Sequence, residues 1–430
     1  MSFKPKPRFQ RPERAQIMLR PVDLDGLLAQ DSPARAVWEF VEGLDLSELY
    51  NKIGAVEGGV GRSPIDPRIL VALWLFATIE GIGSARGLAE ACTRDVAFQW
   101  ICGDVGVNHH TLSDFRVAHT AFLERLFTGS VALLMKQNLV DLNRVAQDGL
   151  RVRASAGAAS FRRRQTLEDC ERAAATQVER LKRELEEDPA AGSARQKAAR
   201  QRAAEDRKKR VQEALRQLPE VEAKKEKAKK VKKSNPSSHA APRASTTDPD
   251  ARVMKMSDGG FRPAFNVQFA SDAGSQVIVG VDVSNSGSDG GKMLPMVEKL
   301  NSDYGRAPEE MLIDGGFATI DDIERVTALG STVFAPVHKP RKAGIDPHSP
   351  RPGDSATIKA WRQRMATEAA KRIYKWRAAT AECVNARARR CGLSQLLVRG
   401  LEKVRAVALW FAIAHNLRRA IALRPRTTFA

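Results

Sequence analysis

At 430 residues the chain exceeds one ordinary domain; with 43% hydrophobic residues it can bury a real core, and 28% charged residues keep it hydrated. Seventy Lys and Arg against 51 Asp and Glu leave a formal charge of +19, a standing attraction for nucleic acid, although ribosome-bound and anionic-membrane proteins are basic too. Five cysteines without a CxxC pair and histidines outside zinc spacing argue against a disulfide framework or a structural zinc, while the absence of any long apolar run or leader-like start points to a cytoplasmic chain with no membrane partner.

In chain order, residues 1–20 are basic and proline-bearing and read as an arm. Residues 21–140 read as a helical DNA-binding or dimerisation domain. Ile69, Leu70, Leu73, Trp74, Phe76 and Ala77 recur at near-helical spacing behind Asp66-Pro67, a cap followed by proline at the first helical position. Gly81-Ile-Gly83-Ser84 ends that helix, Ala85 to Cys92 starts another, and a third is expected from about Ser113 through Phe127. Short helices with tight glycine turns fit a helix-turn-helix and a plain dimerisation bundle equally.

The texture changes at Val145, where residues 145–154 alternate apolar and polar as a half-buried strand does. Strand patterns return at Phe261–Ala270, with Phe265, Val267 and Phe269 on one face, and at Gln276–Val283, Glu310–Asp314 and Thr332–Pro336. Helical segments are expected near Met293–Asn301 and Ile320–Leu329, and from Thr357 to Ala422. This order predicts an α/β layered domain with a mixed sheet, assembled from 141–161 and 244–430. Residues 162–243 interrupt it with an inserted basic helical hairpin and linker. Leu167, Ala174, Val178, Leu181 and Leu185, then Ala204, Val211, Leu215 and Leu218, fall at 3–4 spacing on either side of a turn at Glu187–Gly192. Ser234 to Pro242 has the composition of a linker. The hairpin's outer faces are either simply solvated or grip DNA phosphates.

Three acids stand where hard-cation ligands could converge from separate elements. Asp148 interrupts the first strand, where a buried acid is costly unless paired or bound to metal; an exposed turn aspartate is the plain alternative. Asp314 ends Met311-Leu312-Ile313 before Gly315-Gly316, a frequent site position in open α/β sheets and also a simple Asp-Gly turn. Glu382 lies in a helix with Tyr374, Arg377 and Arg389, and by itself reads as a surface glutamate with Glu368 as competitor. Asp248, Asp250, Asp289, Asp321 and Asp322 are further acids that could be mistaken for ligands. Trp361, Trp376 and Trp410 read as core or interface aromatics, with base stacking as the alternative. His338 to Lys342 reads as a basic loop that is either solvated or touches phosphate.

Four segments sharpen this picture. Val145-Ala-Gln-Asp148-Gly-Leu-Arg-Val-Arg-Ala-Ser155 resembles the surroundings of the first catalytic aspartate in the DDE transposases of bacterial insertion sequences. Ser245-Thr-Thr-Asp248-Pro-Asp250 through Phe265-Asn266-Val-Gln268 is similar to their second-strand signature, and Ile313-Asp314-Gly-Gly-Phe317 to the second aspartate. Tyr374-x-x-Arg377-x-x-x-x-Glu382-x6-Arg389 resembles the Tyr-Arg-Glu-Lys signature around the final glutamate, except that Arg389 replaces lysine and Asn385 stands where a bulky apolar residue is expected. The helical start, with Asp66-Pro67 and Thr111 to Arg116, is also similar, so the likeness covers most of the chain.

The resemblance implies an RNase H-like catalytic core and a DNA transposase that cleaves strands and transfers the 3′-hydroxyl ends of an insertion element. Its cofactors would be two divalent cations, Mg2+ with Mn2+ possible. Asp148 would touch both metals, Asp314 one and Glu382 the other; Tyr374 and Arg377 would hold DNA near the transferred end and Arg389 a neighbouring phosphate. The implied partners are double-stranded DNA, as element ends and target, and further copies of the chain in a homodimer or higher oligomer on DNA, within the bacterial nucleoid. An RNase H-like metal-dependent DNA nuclease and an inactive DNA-binding derivative are the alternatives.

Overall fold

The computed structural model describes residues 23–55, 63–187, 193–231, 241–340 and 344–423; the amino-terminal arm, most of the hairpin turn, the centre of the linker and Arg341-Lys342 lie outside them. In chain order the strands are β1 (Arg144–Arg153), β2 (Phe161–Arg162), β3 (Ala244–Ser245), β4 (Arg252–Lys255), β5 (Phe261–Asp272), β6 (Ile278–Ser284), β7 (Glu310–Leu312) and β8 (Thr332–Phe334). β1 is central. It runs antiparallel to β5, which pairs antiparallel with both β4 and β6, and parallel to β7, which is parallel to β8. Leaving aside short β4, the major strands stand in the spatial order third, second, first, fourth, fifth. That is the RNase H-like mixed sheet expected from the sequence.

The alternation read in the sequence sets the two faces. Leu150 and Val152 lie opposite Val267 and Phe265, and Asp148 lies opposite Phe269, all on one face. That face meets the helix Leu401–Leu423, whose Phe411 ring centroid is 5.3 Å from that of Phe269. Backbone groups around the β5–β6 turn are held by the same helix. Asn416 accepts from the Ile278 amide at 2.8 Å and donates to its carbonyl at 2.7 Å, and Arg419 donates to Ser275. The 23-residue helix is apolar and long enough to cross a membrane, but Val404 and Ala406–Leu417 are buried in the protein. On the opposite face, the helix Met293–Tyr304 packs so closely on β6 that a Cβ on Gly280 would lie 2.5 Å from Met296 Sδ.

The amino-terminal helices form a bundle around Pro67–Ile79, buried from Ile69 to Ala77 and capped by Asp66 as its sequence predicts. One continuous core runs from this bundle through Leu401–Leu423 into the sheet. The third expected helix is instead two, His109–Ala118 and Thr120–Lys136. The Trp410 indole N–H donates to the Arg116 carbonyl at 3.0 Å, taking the acceptor that the Thr120 amide would use in an unbroken helix. Trp410 and Trp361 are buried core aromatics, whereas Trp376 is half exposed.

The hairpin helices Arg164–Glu187 and Ala194–Val231 emerge between β2 and β3, where the insertion was expected. The second continues through Pro219 into the lysine-rich stretch read from sequence as the approach to a linker. Lys and Glu are good helix formers, and ion pairs such as Lys224–Glu220 at one-turn spacing support that extension. The hairpin has a small core of its own, formed by Leu167, Ala214 and Leu218 with Ala244. Its base is tied to the sheet domain through Gln217, which donates to Asp250 at 2.6 Å and accepts from Arg252 at 2.7 Å.

Two acids of the second-strand signature serve the fold. Asp248 accepts from the Gly400 amide at 3.2 Å and Asp250 from the Leu401 amide at 3.0 Å, satisfying donors at the start of Leu401–Leu423 that the helix itself leaves unpaired. Burial, with the neighbouring Asp250 charge adding to it, pushes the Asp248 carboxyl up to about 6. A raised acid contributes stability that is present at low pH and lost as pH rises through the folded-state value. Asp248→Asn, which keeps the acceptor, should therefore gain on the wild type in thermal melts between about pH 4 and about pH 7. A difference that stays constant over that range would contradict the assignment.

Candidate active site

The parallel register of β1 and β7 does the decisive work. Val145 lies beside Met311 and Ala146 beside Leu312, so two residues further along each chain Asp148 and Asp314 come to the same level. They converge on one cation. Arg377 Nη2 is 3.2 Å from Asp148 Oδ1 and 3.7 Å from Asp314 Oδ2. Asp148 is mostly buried, and burial is the main influence raising its carboxyl above the usual range; the Arg377 charge pulls it back, and Asp314 and Asp289 push it up again. Its Oδ1 also accepts from the Gly149 amide at 2.9 Å, and its Oδ2 from Asn385 Nδ2 at 3.0 Å. Asp314 is more open and turns its Oδ1 onto the Gly316 amide at 2.7 Å.

Arg377 and Asn385 both come from the carboxyl-terminal helical run, through a specific irregularity. Glu368–Arg377 continues into a π turn, Ala378–Glu382, and then into Cys383–Arg390. In an uninterrupted α-helix, residues eight apart would point about 80° away from each other. The extra residue accommodated by the wide turn removes most of that offset, so both side chains reach Asp148. Tyr374, one turn before Arg377, is half-buried; burial raises its phenol, Arg377 opposes this, and the Asp314 and Asp148 charges add to it. Glu382 ends the π turn and is exposed. Thus the structure brings together Asp148, Asp314, Arg377 and Asn385, with Tyr374 beside them, while the Glu382 side chain faces solvent. Among the described residues no group of three His, Cys, Asp or Glu is close enough to hold a metal ion. Arg389 is exposed in the last turn of Cys383–Arg390. Glu368 pairs with Lys371 at 2.8 Å in the first turn of its helix. His338 follows β8 and its Cε1 would lie 3.5 Å from a Cβ on Gly315, next to Asp314.

Beneath Asp148, on the opposite face of β1, lies a buried polar network. Asp289 Oδ1 accepts from Asn266 Nδ2 at 2.7 Å and from Gln268 Nε2 at 2.9 Å, while its Oδ2 meets Arg151 Nη2 at 2.8 Å. Gln147 bridges Gln268 and the Lys292 carbonyl at 3.2 and 3.1 Å. The network explains the glycine after Asp148. A Cβ on Gly149 would lie 2.5 Å from Asp289 Oδ1, 2.6 Å from Gln268 Nε2 and 2.7 Å from Asn266 Oδ1. Asp289 and Asn385 are the site residues not foreseen as such. Alternating polar residues at 266 and 268 within an otherwise apolar strand were the available signal for the first, and an asparagine at an apolar helix position was the signal for the second.

Two family comparisons bear on this geometry. Residues 22–118, the helical bundle, match a family described as Transposase domain (DUF772), and residues 348–421, which carry Tyr374, Arg377, Glu382, Asn385 and Arg389, match one described as Transposase DDE domain. No curated protein and no solved structure matches the chain. In sequence the two matches flank the strands of the sheet whose ends carry the paired acids, and both are to transposase domains. Together they support an insertion-sequence DDE transposase.

Gly149→Ala should cost about 2–3 kcal/mol of stability in urea denaturation, because the added methyl has only network polar atoms to displace. An unchanged denaturation midpoint would mean that the network yields freely.

Proposed function

We propose that this transposase cleaves DNA strands at the ends of an insertion element and joins the freed 3′-hydroxyl ends to target DNA, using Asp148, Asp314 and Glu382 with two divalent cations. The observation that carries this reading is the shared guanidinium. Two carboxylate oxygens within reach of one Arg377 nitrogen are no more than about 7 Å apart, a span that fits hard cations placed about 4 Å from each other. An arginine held between two acids also marks a place where positive charge is expected. Mg2+ suits this all-oxygen donor set, with Mn2+ as a substitute. When bound, the cations would supply charge neutralisation at the phosphodiester and a more acidic attacking water or hydroxyl.

The protein's own groups then have separate tasks. Asp148, held at both oxygens, would be the fixed ligand for the cations, and Asp314, hydrogen-bonded at Oδ1, would offer Oδ2. Glu382 would be the third ligand, exposed on a segment that already packs against β1 and β5. Arg377 turns from the carboxylates to a DNA phosphate, for which a planar fork is well matched. Tyr374 lines the approach to the transferred end, and Arg389 contacts a neighbouring phosphate. No covalent protein–DNA intermediate is required, so no serine or tyrosine nucleophile is invoked.

For the domains, 21–140 is a DNA-binding and dimerisation unit, 141–161 with 244–430 the catalytic unit, and 162–243 an insertion that adds phosphate contacts. The 23 basic residues against 14 acids in 162–233 support that last role. Double-stranded DNA at element ends and target, bound by a homodimer or higher oligomer within the bacterial nucleoid, completes the proposal.

Asp148→Asn, Asp314→Asn and Glu382→Gln should each lower strand cleavage with Mg2+ by about a thousandfold while duplex binding persists. Wild-type cleavage by any one of them removes that residue from the site. Joined products in a paired-end assay identify a transposase, and nicks alone identify a nuclease. Deleting 165–233 should weaken DNA affinity and flatten its dependence on salt; unchanged affinity would leave the hairpin a structural or oligomer contact.

A further inference from the structure

Asn385 is buried at 6% exposure in the first turn of Cys383–Arg390, and its Nδ2 donates to Asp148 Oδ2 at 3.0 Å. Its own Oδ1 is buried and meets no hydrogen-bond donor among the described residues. A side chain that only filled space here would be better replaced by leucine, which has no unmet acceptor to bury. The opposite oxygen, Asp148 Oδ1, is already engaged by the Gly149 amide and faces Arg377 and Asp314. The carboxylate is therefore gripped from two sides. Gly149 holds it from its own strand, and Asn385 holds it from the helix that begins one residue after Glu382.

We propose that Asn385 is the positioning residue of Asp148: it fixes the carboxylate's rotation so that Oδ1 is presented toward Asp314, and it links that orientation to the helix segment carrying Glu382. The inference rests on the cation-binding reading above. Partners outside the ligand set that orient a ligating carboxylate raise metal affinity, and their loss typically costs about ten- to a hundredfold. Without its amide, Asp148 can rotate about its side chain, and one charged oxygen is left with no donor in a buried place. Both effects weaken cation binding and leave the basic surface that attracts duplex DNA unchanged.

The test uses the full chain and Mn2+ alone, with binding read from the loss of the free-ion electron paramagnetic resonance signal. Duplex DNA affinity and circular dichroism are measured in parallel. Asn385→Leu should weaken Mn2+ binding about tenfold with DNA affinity and fold unchanged, and Asn385→Gln, which keeps the amide, should recover part of the loss. Should the leucine variant not fold, Asn385→Ser, which removes the reach of the donor without adding bulk, carries the same expectation. Asp148→Asn separates the two levels of the argument. If the wild type binds Mn2+ no better than Asp148→Asn, the cation site itself is misassigned and the role of Asn385 goes with it. If the wild type binds better but Asn385→Leu equals it, only the positioning role is overturned. A folded Asn385→Gln as weak as Asn385→Leu would likewise overturn it, because the loss would then follow packing and not the donor.

Discussion

A carboxylate on the central strand of a sheet is costly to keep charged unless something positive or donating meets it, and Asp148 is such a group. Its burial raises the carboxyl, and three features of the chain answer that cost. The Gly149 amide and Asn385 hydrogen-bond its two oxygens, and Arg377 supplies the charge. The same guanidinium meets Asp314, so the arrangement that makes Asp148 tolerable also joins the two aspartates. On the proposed reading, cations would take the place of the Arg377 charge between the two carboxylates, so that neither buried acid would be left unpaired.

The surroundings of the pair are built to hold β1 in place. Asp289, Asn266, Gln268, Gln147 and Arg151 are joined by hydrogen bonds beneath it, and a network of this kind fixes strand position because each member loses a partner if another shifts. Gly149 is the opening through which that network approaches the strand. From above, the π turn aligns Arg377 with Asn385. Wide turns of this sort recur at functional sites because they re-aim side chains that a regular helix would point elsewhere. The closing helix carries the sheet's other obligations: it caps backbone groups beside β6, starts on the Asp248 and Asp250 carboxylates, and joins the amino-terminal bundle to the sheet through Trp410.

Much of this was legible in the residues. Alternation at 145–154 and 261–270 marked β1 and β5, the order of strands and helices marked the mixed sheet, and the basic character and 3–4 spacing on either side of a turn marked the hairpin. What could not be read depends on contacts between distant segments. β7 is three residues long and pairs with β1 across more than 160 residues, so no local pattern states the register that sets Asp314 beside Asp148. Beside the break at His119, the Arg116 carbonyl accepts from Trp410, 294 residues further along the chain. Asp289 sits in a Ser-Gly loop whose sequence gives no direction, and only the fold turns it under β1. Glu382 is the reverse case, marked by its signature but left exposed, because a π turn spends its register on the residues to either side.

The proposed convergence of the three acids can be tested directly. Crystals of the full chain with element-end DNA and Mn2+, examined by anomalous diffraction at the manganese edge, should show Mn2+ between Asp148 and Asp314, with the Glu382 carboxylate turned inward to coordinate and Arg377 moved onto a DNA phosphate. Manganese density elsewhere, or Glu382 still facing solvent while the other two acids hold the ion, would contradict the three-acid centre.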